Sequence, residues 1–184
     1  MRGSTRRRWT IATVVVMALS AACGGGGGGG GGGPTTPPPP TGINFTPSRA
    51  ASANSLYLTE GAQTNVNRLF LEVRVNDVDE LYGVAFDIVY PTNLLAFARA
   101  KEGNFFKGNT SLLTEEKALG RVIVGHTNLG ANEPESGSGL LMTLEFTPIN
   151  NGSGALTFEN EQAFTRGSLP MTIEFIAGNV SVQR

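Results

Sequence analysis

The sequence predicts an all-β sandwich carried behind a long N-terminal tether. Three observations predict it. After Ala50 no stretch sustains a helical period for three turns. Many stretches alternate apolar and polar residues with period two, which gives a strand one inner and one outer face. Turn residues separate these stretches at intervals of about 8–12 residues, the spacing of a sandwich.

The N-terminus reads as an address. Residues 1–22 form an export signal: Arg6, Arg7 and Arg8 open it, and the apolar run from Trp9 to Ala22 follows. That run is shorter than the roughly 20 residues an ordinary membrane-spanning helix needs. It ends in Leu19-Ser20-Ala21-Ala22-Cys23. Small residues before a cysteine resemble the lipobox of bacterial lipoproteins, which implies acylation of Cys23 and a lipid anchor. The bland alternative is a chance thiol beside an ordinary cleavage site. Thr5-Arg6-Arg7-Arg8-Trp9 also resembles a twin-arginine signal, so two export routes stay open. By the sorting rule of that lipoprotein class, Gly24 after the cysteine implies the outer membrane or cell surface.

Residues 23–53 read as a linker. Ten of the 25 glycines lie in one run, Gly24 to Gly33, and five of the ten prolines fall between Pro34 and Pro40. A glycine run has nothing to bury and maximal backbone entropy, so disorder is expected. The prolines favour stiffer extended chain. The sandwich is then expected over residues 54–184.

Its strands follow in order. Ser55–Thr59 comes first. In Arg68–Asn76, Leu69, Leu71, Val73 and Val75 share one face, and Arg68, Glu72 and Arg74 the other. Tyr82–Tyr90 places Val84, Phe86, Ile88 and Tyr90 inward, and Pro91 stops it because proline cannot donate to a ladder. Leu95–Ala100, Ser111–Glu115 and Arg121–Thr127 are shorter. Leu140, Met142, Leu144 and Phe146 form another inward row. Ala155–Glu159, Met171–Phe175 and Asn179–Gln183 complete the set. Glu115–Leu119 reads as one helical turn and Glu133–Gly139 as a polar loop.

Composition excludes several functions. The formal charge of −1 hides an uneven distribution, because Arg2, Arg6, Arg7 and Arg8 lie in the signal. The remainder is acidic, which excludes the clustered cations that nucleic-acid binding requires. The single cysteine excludes an internal disulfide, and the single histidine, His126, excludes a two-histidine metal site. No Gly-x-Ser-x-Gly elbow surrounds any serine, so no catalytic residue is expected. No cofactor is implied. Asp77-x-Asp79-Glu80 offers oxygen ligands for calcium, or is simply a solvated turn.

Several segments together resemble the cohesin domain. Gly83-Val84-Ala85-Phe86-Asp87-Ile88-Val89-Tyr90-Pro91, then Leu94-Leu95-Ala96-Phe97, resembles its strand ending in Tyr-Asp-Pro and the short strand after it. Gly120–Val124, Gly139–Phe146, Gly154–Glu159 and Phe175–Val182 follow in the family's order. The resemblance implies a nine-stranded jelly-roll sandwich, non-catalytic, whose best-known members bind dockerin modules in polysaccharide-degrading assemblies. It implies a docking face built from the third, fifth, sixth and eighth strands. Carried over by position, the partner-binding candidates are Ala85 and Asp87, then Val124, His126 and Asn128, with Leu169 beside the eighth strand. His126 is either a donor on that face or an inert surface histidine. The family's best-known type carries Asn-x-Asp on the third strand, where this chain has Gly83-Val84-Ala85.

The expected function is therefore protein–protein interaction at the cell surface, with a dockerin-like or other extracellular partner. The alternative is a carbohydrate-binding module attaching the cell to polysaccharide. Against it stands the lack of tryptophan after Trp9 and the presence of only Tyr57, Tyr82 and Tyr90 as candidate stacking residues. Phe105-Phe106 is either an exposed anchor or a plug at one end of the sandwich.

Overall fold

The computed structural model describes residues 41–184. The signal, Cys23 and the glycine run lie outside the described residues. Twelve strands and no helix are present among the described residues: β1 (Gly42–Pro47), β2 (Ser55–Glu60), β3 (Leu69–Leu81), β4 (Gly83–Val89), β5 (Leu95–Glu102), β6 (Thr110–Ala118), β7 (Arg121–Asn128), β8 (Glu135–Pro148), β9 (Gly152–Thr165), β10 (Leu169–Met171), β11 (Glu174–Ile176) and β12 (Gly178–Gln183).

They form two sheets. One runs β1-β12-β9-β4-β7-β6, with β10 added alongside β9; the other runs β11-β2-β3-β8-β5. Only the β11–β2 pair is parallel. The inner rows meet in one core. Val84, Phe86, Ile88, Val122, Val124 and Leu156 face Leu56, Leu58, Leu71, Val73, Leu144 and Phe146, all buried. Phe86 meets Phe158 edge-on at 5.1 Å, and Tyr90 meets Phe146 at the same separation. Such tilted pairs suit the aromatic quadrupole better than a face-to-face sandwich.

Nine of the ten segments expected to be strands lie in strands, and the tenth is split. The linker was expected to run to residue 53; instead Gly42–Pro47 forms an edge strand whose Ile43 and Phe45 enter the core. Met171–Phe175 splits, so that β10 and β11 lie in opposite sheets. These two changes raise ten expected stretches to twelve strands. Glu115–Leu119 is not a helical turn: β6 continues to Ala118, because Glu115, Glu116 and Ala118 pair with β7 across a bulge at Lys117. The expected polar loop at Glu133–Gly139 largely belongs to β8, which pairs with the far end of β3.

Irregular pairing in the β3–β8 ladder matters for phase. Val73 pairs with Met142 but Arg74 pairs with Leu140, so Leu141 is an extra residue in a bulge. Leu141 turns into the core, while Leu140 shares the outer row of Arg74, not the inner row expected for it. Asp77 and Glu80 mark two further irregularities in the same ladder, each with a positive φ. The Asp77 backbone N–H donates to the Ser138 hydroxyl, and Ser136 donates to Asp79. That cluster is held by serines of β8. No group of three or more metal-ligating side chains converges among the described residues.

Candidate interaction face

The outer face of β9-β4-β7-β6 is the only extended surface that the resemblance singles out, and the register defines it. Residues directly opposite in a ladder point to the same side. Phe86 stands opposite Val124, and Ile88 opposite Val122. Phe86 and Ile88 are core residues, so Val122 and Val124 are too. The outward row of β7 is therefore Arg121, Ile123, Gly125 and Thr127.

This corrects three expected positions. Val124, His126 and Asn128 face inward, each about 1% exposed. The physical reason is the balance of the two rows. Val122 and Val124 together bury more apolar area than Ile123 alone, so that row takes the core. His126 and Asn128 follow because the strand is continuous, and the end of the sandwich has polar partners for them. Nε2 of His126 lies 2.8 Å from a Glu102 carboxylate oxygen. Thr110 donates to the same carboxylate. The His126 ring meets Phe106 edge-on at 4.9 Å. Asn128 donates its amide to the carbonyl of Glu133 at 3.2 Å. Nδ1 of His126 and Oδ1 of Asn128 are buried without a partner. Burial holds the imidazole pKa below its usual value, with Glu102 pulling the other way. The Thr110 hydroxyl holds Glu102 below the usual carboxylate range, helped by His126. Phe105 and Phe106 are both buried, so the end-plug reading of that pair stands.

Ala85 and Asp87 do lie on the outer row. Asp87 is nevertheless only 6% exposed. Its carboxylate accepts from Arg121 at 2.6 Å and from the Asn160 amide at 2.7 Å, and Arg121 also pairs with Glu159. Asn160 has a positive φ where β9 loses register with β4 between Ala85 and Asp87. A bulge thus delivers the side chain that caps Asp87. Leu169 is exposed, but its row is that of Met171 and Ala163, so it sits at the end of the sandwich and not on the flat face.

The face has two halves. At one end lies the Asp87–Arg121–Glu159 network. At the other, Ala85 is opposite Gly125, and Gly125 is opposite Leu113 of β6. Leu113 is 61% exposed. A Cβ on Gly125 would meet nothing within 4 Å. Beside it a shallow hollow of about 240 Å³ opens over Gly83 and Gly125, walled by Tyr82, Thr127 and Phe164. Leu113, Ile123, Gly125 and Thr127 were missed in sequence. Pairing the already placed Ala85 across the ladder would have found Gly125.

This face thus joins small and apolar groups, Ala85, Gly125 and Leu113, to the charged Asp87–Arg121–Glu159 network. Comparison with solved structures agrees with the fold. A non-cellulosomal cohesin from Archaeoglobus fulgidus superimposes with a TM-score of 0.57 at 17% identity, over 70% of this chain and 89% of that one. The sixth cohesin of scaffoldin B from Acetivibrio cellulolyticus, solved in complex with a dockerin, gives 0.61 at 11% identity, over 72% and 100%. A cohesin module from a Clostridium perfringens family 33 glycoside hydrolase gives 0.51 at 16% identity, over 78% and 97%. No family model and no curated protein matches the sequence. The sandwich described by residues 41–184 has the cohesin fold.

Proposed function

We propose that this chain is an exported, non-catalytic module that captures a protein partner on the outer face of β9-β4-β7-β6, held at a membrane by a lipid on Cys23. The observation that carries the reading is the Leu113–Gly125–Ala85 row, bare and apolar at one end of that face. Affinity on such a surface comes from a few buried anchors surrounded by modest contacts. Cohesins of this fold have been solved in complex with dockerins, which supports a dockerin-like partner. With Gly83-Val84-Ala85 in place of Asn-x-Asp, that partner is gripped by packing and not by a polar pair on β4.

Partner capture from the exported fraction of the host, with the wild type beside Gly125→Arg, tests the face. A Cβ at Gly125 meets nothing within 4 Å, and the arginine plants an unpaired charge that desolvation penalises by several kcal/mol. One protein, identified by mass spectrometry, should be retained by the wild type and lost by the variant. Equal retention by both moves recognition to the loops. Membrane attachment is tested separately. Cys23→Ser should shift the chain from the outer-membrane pellet to the soluble fraction, and persistent pelleting refutes acylation.

A further inference from the structure

The other sheet carries a second feature that the interaction face leaves unused. On the outer side of β3 and β8 lies a trough of about 670 Å³. Its floor is Phe70 and Glu72 of β3 with Thr143 and Glu145 of β8. The Gly61–Gln63 turn after β2 forms one wall, and Arg99 and Lys101 of β5 form the other. The volume lies within the range of small-ligand sites.

Among the described residues, the charged groups of the trough are paired except Lys101. Glu145 lies between Arg68 at 2.8 Å and Arg99 at 2.6 Å, and its side chain is only 9% exposed. Glu72 pairs with Arg74 at 2.8 Å. No charge of one sign dominates, so the trough does not attract a polyanion or a polycation. Glu72, Glu145, Arg99 and Lys101 along its floor and wall disfavour a lipid chain, whose burial there would desolvate them. A paired carboxylate keeps spare lone pairs and a paired guanidinium keeps spare N–H groups. Such pairs present a donor and an acceptor side by side, fixed in place before any ligand arrives. Thr143 adds a hydroxyl and Gln63 an amide. A hydroxyl group both donates and accepts, so a neutral polyhydroxylated chain matches this lining. Phe70, and Leu140 turned outward by the Leu141 bulge, supply apolar area for C–H faces.

We propose that this trough is a binding site for a neutral glycan chain, on the sheet opposite the protein-interaction face. The two faces belong to different sheets, so one occupant does not displace the other. The site stands whether or not the partner face is correct.

Affinity electrophoresis of the full chain tests it. Native gels would contain soluble neutral polysaccharides (hydroxyethylcellulose, xyloglucan, galactomannan, mixed-linkage glucan), with polygalacturonate as the acidic counterpart. Retardation is expected in at least one neutral gel and none in the acidic one. Gln63→Ala alters an exposed wall residue without touching the core, and Thr143→Lys fills the floor. Each should weaken retardation by about tenfold or more, a loss of one good polar contact set. A melting curve for Thr143→Lys separates blocking from unfolding, and Gln63→Ala decides if that variant does not fold. Gly125→Arg should retard like the wild type. No retardation in any neutral gel overturns the proposal. So does retardation only by the polyanion, or retardation that survives Gln63→Ala and a folded Thr143→Lys.

Discussion

Val124 stands directly opposite Phe86 across the β4–β7 ladder, and both side chains enter the core. That pairing makes Val124→Arg a folding lesion and not a binding lesion. A buried, unpaired guanidinium replaces a valine that is 1% exposed. The cost should be several kcal/mol, enough to unfold a domain of ordinary stability. Gly125→Arg, one residue along, should melt within a few degrees of the wild type. Urea titration of both variants checks this: equal stability would mean that the β7 phase is reversed.

Asp87 is outward but held. Removing its carboxylate leaves Arg121 with Glu159 alone and strips the Asn160 amide of its acceptor. Asp87→Ala should cost about 1–3 kcal/mol, the range for breaking a charge-assisted bond at a covered site. Chemical denaturation measures it. A change below about 0.5 kcal/mol would place Asp87 among ordinary surface residues.

The Leu141 bulge separates two neighbouring leucines. Leu141→Ala should cost about 2–5 kcal/mol, as for a large buried side chain. Leu140→Ala should cost under about 1 kcal/mol, because Leu140 lies on the outer row. Equal losses would show that β8 runs through this point without the extra residue.

Acid should weaken the fold through the buried end cluster. Neutral His126 donates from Nε2 to Glu102. Burial lowers its folded pKa below the usual 6.5, so the unfolded chain binds the proton more readily. Stability from this group is therefore fully present above pH 6.5 and falls as pH drops toward the folded pKa. Glu102 acts in the same direction at lower pH. Its folded pKa lies below 4.5, so its contribution is present above 4.5 and is lost as pH falls through the folded value. Thermal melts from above pH 6.5 to below pH 4.5 should show a decline whose upper part His126→Leu flattens. A variant that keeps the wild-type slope would remove His126 from the explanation.

Alternation made the fold legible where one row was plainly apolar, as in Arg68–Asn76 and Tyr82–Tyr90. It failed at β7, where each row holds both apolar and polar residues. There the phase depends on what lies across the ladder and at the end of the core, and neither is local. Leu140 was misplaced for a related reason: a single extra residue reverses the phase on one side of it. Gly42–Pro47 escaped notice because it follows a proline run and carries only two apolar inward residues, Ile43 and Phe45. Ala85 was placed correctly because its strand was. Gly125 and Leu113 were not visible, since a bare glycine and a lone exposed leucine have no signature until a neighbour gives them a face.

The position of β1 has a mechanical consequence. It pairs along its whole length with β12, from Gly42 opposite Gln183 to Pro47 opposite Gly178. The Phe45 amide also reaches across to a Glu60 carboxylate in the other sheet at 2.7 Å. A module anchored on its N-terminal side and gripped by a partner on its face is under tension whenever the two are pulled apart. That load enters the sandwich at Gly42 and meets the β1–β12 ladder before any other. Ile43 and Phe45, seated in the core, then act as the catch. Under the proposed anchoring, the force the sheet withstands is set at this one edge, in the same sheet as the proposed partner face.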